Sequence, residues 1–143
     1  MTTSRLARFG LLVTTIVIGL SALAGGAALV LGSVDPSLAT VLSPPREYLE
    51  GSPFGSYLVP GIILGLVLGG VHLLAFALIV RRNRWWVLAG AVGAFDTLIW
   101  IFVQMVIIPF SFLQAAYFVL GAAEAGLVML ALGILTPRVP EKA

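Results

Sequence analysis

The sequence predicts an all-α fold, an antiparallel four-helix transmembrane bundle in which residues 1–143 form a single domain. Composition is the first reason, because 60% of the 143 residues are hydrophobic and 10% are charged, whereas soluble domains are about a quarter charged. The mean hydropathy of +1.12 agrees with it. The second reason is that four apolar segments, joined by short connections except between the first two, are each long enough to cross a membrane.

The four predicted spans cover residues 9–31, 58–80, 85–108 and 110–135. About 20 apolar residues are needed, because a helix must cross about 30 Å of hydrocarbon. The first span has an alternative interpretation as a signal peptide, since Arg5 and Arg8 precede it and the small residues Ala22 and Ala24 resemble a cleavage site. Its apolar run continues to Leu31, beyond the roughly 7 to 15 residues of a signal sequence, which favours a retained span.

The connection between the first two spans, residues 32–56, is the only long one, and it is predicted to contain two short helical turns. Asp35 followed by Pro36 is typical of a helix start, with an acidic cap and a proline in the first turn. Residues 45–50 show a similar pattern. We interpret this loop as an ordered cap over one end of the bundle, with a loop that binds a partner as the alternative.

The distribution of basic residues predicts the orientation. Arg46 is the only basic residue that falls on the side of the long loop, whereas seven fall on the other side: Arg5, Arg8, Arg81, Arg82, Arg84, Arg138 and Lys142. Basic residues favour the cytoplasmic side of short loops. Both termini are therefore predicted to be cytoplasmic. The net charge of +2 is explained by this topology and implies no nucleic-acid partner.

Glycine spacing indicates how the helices pack. Gly61, Gly65 and Gly69 recur every four residues in the second span and form a smooth stripe that another helix backbone can approach. The stripe could be used within the chain, or it could bind a membrane-protein partner or a second copy of the chain. Membrane lipids are the remaining expected partners.

Polar residues within the apolar spans are the candidate functional residues. Asp96 and Glu124 lie near the middle of the third and fourth spans, and His72 lies at a similar depth in the second. Helical periodicity adds others to the same faces. The predicted binding residues are His72, Asp96, Trp100, Gln104, Gln114, Tyr117 and Glu124. Because separated polar groups are costly in the bilayer, we expect Asp96 to hydrogen-bond His72 or Glu124, directly or through one water.

Two interpretations of these polar residues remain open. A charged aspartate in the middle of a span costs about 2.5 to 3.5 kcal/mol on insertion scales, and the three groups could repay it as interhelical hydrogen bonds that fix helix register. Alternatively, they line a functional site. The sequence then favours a non-catalytic accessory protein or a module that binds lipid or another small ligand, with proton-linked transport or lipid-modifying chemistry by His72, Asp96 and Glu124 as the alternative.

Other chemistries have weaker support. The chain has no cysteine, so thiol chemistry and disulfide bonds are excluded. One histidine and two carboxylates make a poor zinc site, because zinc usually recruits more nitrogen or sulfur ligands. A triad of Ser21, His72 and Asp96 lacks a nucleophile elbow. The sequence contains no cofactor-binding motif, so it predicts no catalytic residue, no metal and no cofactor.

Two segments carry a resemblance to a known group of proteins. The stretches GSPFGSYLVPGIILGLVLGG, from Gly51 to Gly70, and WIFVQMVIIPFSFLQAAYFVLG, from Trp100 to Gly121, resemble small four-span bacterial inner-membrane proteins to which no activity is assigned. The chain has Ala115 after the Leu-Gln pair, where similar proteins have a proline. The resemblance implies a bacterial inner membrane and four retained spans, and it gives no residue a role.

Overall fold

The computed structural model describes residues 3–135, and every regular element within that range is helical. The predicted all-α class is confirmed. The helices are α1 (Thr3–Val34), α2 (Pro36–Leu42), a 3-10 helix (Arg46–Leu49), α3 (Leu58–Ile62), a π-helical segment (Ile63–Gly69), α4 (Gly70–Val80), α5 (Trp86–Ile107) and α6 (Phe112–Ala131). Arg138 and Lys142, which the orientation prediction counts, lie outside the described residues.

Four helices are long and apolar enough to cross a membrane. They are Ser4–Val34, Leu58–Val80, Trp86–Ile107 and Phe112–Ala131. The second comprises α3, the π-helical segment and α4 without a break, and we call it the α3–α4 helix. Large apolar side chains such as Leu66, Val106 and Phe112 are mostly exposed, as expected of surfaces that face lipid rather than water.

Each long helix packs against two others. α1 contacts the α3–α4 helix and α6, while α5 contacts α4 and α6. The contact between α1 and α5 is small. Side chains that point inward from all four helices can therefore meet near the middle of the structure.

The glycine stripe of the α3–α4 helix packs against α1. A Cβ atom added at Gly26 of α1 would lie 2.6 Å from the carbonyl oxygen of Gly61 and 2.6 Å from the backbone nitrogen of Gly65. These are backbone atoms, which cannot move aside as a side chain can. The close approach of the two helices therefore requires glycine at position 26, and the predicted stripe is used within the chain.

The tight connection between α4 and α5 leaves a non-glycine residue in the left-handed region. Arg82 has φ of 51°. Its N–H donates to the Ile79 carbonyl at 3.2 Å, and the Asn83 N–H donates to the Leu78 carbonyl at 3.0 Å. This pair of bonds is a Schellman motif, in which glycine usually occupies the position of Arg82.

The loop after α1 carries the two short helices. Asp35 caps α2, since its carboxylate accepts hydrogen bonds from the Ser37 backbone N–H at 2.8 Å and hydroxyl at 2.6 Å. The Ser37 hydroxyl holds the pKa of Asp35 below its usual value. The Tyr57 hydroxyl donates to the Pro45 carbonyl at 2.8 Å, and burial raises the pKa of Tyr57. The bond from Tyr57 to Pro45 holds the loop against the end of the α3–α4 helix.

Candidate functional site: a buried polar cluster and a separate cavity

Six of the seven residues predicted as one binding site fall in two places. His72 and Glu124 meet in the interior of the described bundle, where Thr97 joins them. Trp100, Gln104, Gln114 and Tyr117 instead line a cavity next to the loop that follows α1. We call the first group the polar cluster (His72, Thr97 and Glu124) and the second the outer cavity.

The polar cluster joins three helices. His72 comes from α4, Thr97 from α5 and Glu124 from α6, and none of the three is exposed to solvent. His72 Nε2 lies 3.1 Å from Glu124 Oε2 and 3.1 Å from Thr97 Oγ1. The expectation of a shared depth is thus confirmed for His72 and Glu124.

The hydrogen bonds of His72 define its tautomer. Nδ1 lies 2.7 Å from the Leu68 carbonyl oxygen, and because a carbonyl only accepts, Nδ1 must carry a hydrogen and donate. Nε2 is then the nitrogen that gains or loses a proton. An imidazolium donates from Nε2 to an ionised Glu124, whereas a neutral imidazole accepts from a protonated Glu124. In each of these two arrangements a single proton lies between Nε2 and Oε2, while the Thr97 hydroxyl, at the same distance from Nε2, can also bond to it.

Two glycines make room for the cluster. A Cβ atom added at Gly93 of α5 would lie 3.2 Å from His72 Nε2, and one added at Gly121 of α6 would lie 3.0 Å from Thr97 Cγ2. Both distances are tighter than ordinary van der Waals contact. The imidazole ring therefore packs directly against the α5 backbone at Gly93, which places Nε2 close to Thr97.

Asp96 does not join the cluster by a direct hydrogen bond. It is half-buried, and its Oδ2 is buried without a hydrogen-bond partner among the described residues. Leu68, Glu124 and Thr97 already occupy both ring nitrogens of His72. The direct bond is not formed, because Thr97, about 100° further around the helix, is the α5 residue that faces His72. The alternative, a bond from Asp96 through one water, stays a prediction.

The suggested triad of Ser21, His72 and Asp96 is not assembled. Ser21 lies at the outer cavity, where its hydroxyl donates to the Val17 carbonyl at 2.6 Å and accepts from the Tyr117 hydroxyl at 2.5 Å. Neither His72 nor Asp96 bonds to Ser21 in the described part of the chain. Within residues 3–135, no group of three or more His, Cys, Asp or Glu side chains could hold a metal ion.

The outer cavity has a volume of about 560 Å³, which is within the range of small-molecule sites. It lies between α1, α5 and α6, beside the end of α2 and the segment that follows α2. Its lining includes Ser43 and Tyr48 from the loop as well as Trp100 and Gln104 from α5. The lining residues include no Asp, Glu, Lys, Arg or His. The cavity is therefore apolar with uncharged polar groups.

Gln114 is the most buried polar residue of this lining, with 2% of its surface exposed. It forms a capping box with Ser111 at the start of α6: Oε1 accepts from the Ser111 N–H at 3.0 Å. Since a backbone N–H needs an acceptor, this bond fixes which amide atom is oxygen. The other amide atom, Nε2, is buried, and no residue between 3 and 135 provides it with a hydrogen-bond partner. A buried donor in this state costs about 1 to 3 kcal/mol.

An apolar layer separates the cavity from the polar cluster. It contains the buried Ile18, Ala22 and Leu68, with Leu64, Trp100, Tyr117 and Leu120 packed against them. The order is clear along the α3–α4 helix, where Leu64 lines the cavity, Leu68 belongs to the layer and His72 belongs to the cluster. The two sites are therefore distinct.

Sequence reasoning missed Thr97 and Ser21 as site residues. Thr97 directly follows Asp96 in the sequence, and a hydroxyl beside a carboxylate is a weaker signal than the carboxylate itself. Ser21 is one of several small polar residues on α1, and only its contact with Tyr117 distinguishes it.

Comparisons of this chain with protein-family models, with curated proteins and with solved structures give no match.

Proposed function

We propose that this protein is a multi-pass membrane protein that binds a lipid or another small amphiphilic ligand in the outer cavity and does not catalyse a reaction on it. The observation that carries the proposal is the cavity itself, about 560 Å³ in volume and lined by Trp100, Gln104, Gln114 and Tyr117. A site with apolar walls and a few uncharged polar groups suits an amphiphile.

The proposal includes an arrangement in the membrane. The four long helices form an antiparallel bundle with both termini in the cytoplasm and the loop after α1 outside, in a bacterial inner membrane. The basic residues at one end of the spans support this orientation, and the resemblance to small bacterial inner-membrane proteins supports the location. The outer cavity then lies near the outer membrane interface, where lipids can reach it.

Cavity filling tests the binding function. Trp100 is a natural reporter because it lines the cavity, and the other two tryptophans, Trp85 and Trp86, can be replaced by phenylalanine. In detergent, a monoacylglycerol with a brominated chain should quench Trp100 fluorescence in a saturable way. Ala28→Phe, which fills the cavity, should abolish that saturable quenching.

The matched control is Ala27→Phe. Ala27 is on the same helix, but it is exposed and does not line the cavity. The control should bind the brominated probe like the parent protein. Equal quenching in both phenylalanine variants, or quenching that never saturates, would show that the cavity is not the binding site.

The second candidate function is proton-linked transport or lipid-modifying chemistry run by His72, Asp96 and Glu124. The fully buried contact of His72 with Glu124 at 3.1 Å favours it, since ionisable groups within spans often mark proton pathways. The apolar layer between cluster and cavity favours the transport form over chemistry on a cavity ligand.

Proton flux tests this second candidate. The protein would be reconstituted into vesicles that contain a pH-sensitive dye, and an inward proton gradient would be imposed. Glu124→Gln and Asp96→Asn keep the side-chain shape and abolish ionisation, so a proton pathway should lose its flux in these variants. Flux equal to that of protein-free vesicles in the parent protein would remove the candidate.

A further inference from the structure

We infer that the ligand of the outer cavity presents an uncharged carbonyl group, which accepts a hydrogen bond from Nε2 of Gln114. This inference rests on the proposed binding function and names the class of ligand. An acyl ester of a lipid and the ring carbonyl of a quinone share this chemistry.

The lining excludes a charged group as the recognised feature. The residues around the cavity include no Lys, Arg or His to pair with an anion and no Asp or Glu to pair with a cation. An ion moved from water to such a place would lose its hydration and gain no partner. The part of the ligand that enters the cavity is therefore neutral.

The hydrogen bonds of the lining leave a donor to be satisfied. Oε1 of Gln114 accepts from the Ser111 N–H, so that end of the amide is occupied. The hydroxyl hydrogen of Tyr117 is donated to Ser21, and that of Ser21 to the Val17 carbonyl. Nε2 of Gln114 has hydrogens and no acceptor among the described residues, and the Ser43 hydroxyl, which could donate or accept, is also unpartnered there. The ligand must supply an acceptor.

A carbonyl oxygen fits this need better than a hydroxyl. A hydroxyl can accept from Nε2, but it brings a hydrogen that must find a second acceptor, such as the side-chain oxygen of Gln104 or Ser43 in the lining. A carbonyl only accepts. An ester carbonyl also lies where the polar and apolar parts of a lipid meet, which is the level of a cavity that α1, α5 and α6 form beside the outer loop.

The experiment compares two brominated probes that differ in one group. The first is a monoacylglycerol, which has an ester carbonyl, and the second is the alkyl ether of glycerol with the same brominated chain and no carbonyl. Quenching of Trp100 gives a Kd for each. The parent protein should bind the ester about five-fold or more tightly than the ether, as expected for one hydrogen bond to a buried donor.

Gln114→Glu tests the role of Nε2. Glutamate at this position of α6 keeps the capping box with Ser111, since Ser-x-x-Glu is the common form of the motif, but it has no N–H. The ratio of ester to ether affinity should fall to about one. The ratio is the readout because a carboxylate could weaken both probes equally. Gln114→Leu, which has neither charge nor N–H, should give the same ratio.

The outcomes separate this inference from the proposed function. An unchanged ester-to-ether ratio in both Gln114 variants would overturn the carbonyl inference, while saturable binding that Ala28→Phe abolishes would leave the binding function in place. Equal quenching of Trp100 in Ala28→Phe and Ala27→Phe would overturn the binding function itself. A decyl benzoquinone, which quenches tryptophan directly, tests which kind of ligand supplies the carbonyl. If Gln114→Glu weakens quinone binding, the carbonyl is assigned to the ring of a quinone. If the parent protein prefers the ester probe to the ether probe, it is assigned to the acyl ester of a lipid.

Discussion

At the scale of the residue, the contact between His72 and Glu124 is the polar interaction that joins α4 to α6. Both side chains are fully buried, with Nε2 and Oε2 3.1 Å apart. When the helices separate inside a bilayer, their polar groups still do not reach water. Interhelical hydrogen bonds therefore contribute about 0.6 to 1.7 kcal/mol to the free energy of unfolding. Breaking a buried ion pair in a soluble protein costs more than this. The pair is therefore a moderate stabiliser and a strong determinant of helix register.

A double-mutant cycle checks this magnitude. We expect His72→Phe and Glu124→Leu to be coupled by about 0.6 to 1.7 kcal/mol in the free energy of unfolding, measured by chemical denaturation in detergent micelles. Glu124→Gln should cost less than Glu124→Leu, because its amide N–H can donate to Nε2. A coupling energy indistinguishable from zero would mean that the pair does not hold α4 to α6.

For Asp96 we predict that substitution stabilises the protein, whereas substitution of His72 or Glu124 destabilises it. Its Oδ2 is buried without a partner in the described structure, so the side chain is a net cost to stability in the absence of a function. We expect Asp96→Leu to raise the free energy of unfolding by about 1 to 3 kcal/mol, measured in the same denaturation assay. Asp96→Asn is the control for shape, and it should have a smaller effect. Destabilisation by Asp96→Leu would show that Asp96 has a partner that supports the fold.

The residue scale also shows what sequence could and could not predict. Hydropathy placed His72 and Glu124 at one depth, because each lies near the middle of its apolar span, and periodicity placed them on faces that also carry glycine. They did not distinguish Asp96 from Thr97 as the neighbour of His72, since a helix rotation of a few tens of degrees decides it. The rotation depends on Gly93, whose lack of a side chain admits the imidazole ring, and packing of this kind is not visible in one sequence.

At the scale of the element, close approach of α1 to the α3–α4 helix dominates the packing. Gly26→Ala would place a methyl group 2.6 Å from backbone atoms of Gly61 and Gly65, and the helices would have to separate. We expect a loss of about 1 to 3 kcal/mol in the free energy of unfolding. Gly126→Ala in α6 is the matched control, because its Cβ would meet nothing within 4 Å. The control should be neutral or stabilising by up to about 1 kcal/mol, and equal losses in both variants would contradict the close approach.

The turn between α4 and α5 provides a second test at this scale. Arg82 has φ of 51°, where a side chain costs about 1 to 2 kcal/mol and glycine does not. We expect Arg82→Gly to stabilise the protein by about 0.5 to 1 kcal/mol after the entropy of glycine is subtracted. Arg82→Ala removes the charge and keeps the Cβ, so it should not stabilise. Thermal unfolding in detergent measures both, and a gain shared by both variants would identify the charge rather than the backbone as the cause.

The elements themselves were mostly predictable from the sequence. Apolar length gave the four long helices, and Asp35 with Pro36 gave the start of α2, because caps depend on a few adjacent residues. The π-helical segment Ile63–Gly69 was not predictable. Its Gly65 and Gly69 pack against α1, and a hydropathy profile has no signal for the difference between π-helix and α-helix.

At the scale of the whole molecule, the orientation in the membrane decides what the outer cavity can bind. In the orientation that we propose, the basic residues at the ends of the first, second and fourth spans lie in the cytoplasm, and the cavity opens toward the outer leaflet. We expect a reporter protein fused to either terminus to be active only if it is of a type that works in the cytoplasm. A reporter inserted after Glu50 should be active only if it is of a type that works outside the cell membrane. A reporter at either terminus that is active outside would reverse the orientation and assign the cavity to the inner leaflet.

The single proton shared by His72 and Glu124 has an electrical consequence for the whole molecule. While the two side chains share it, the pair has no net charge, and transfer of the proton between Nε2 and Oε2 moves charge by less than the 3.1 Å that separates them. A membrane potential does work of about 2.3 kcal/mol per 100 mV on an elementary charge that crosses the entire membrane, and only a small fraction of that on such a short movement. The polar cluster can therefore exchange its proton between the two groups at nearly the same energy in a polarised and in a depolarised membrane.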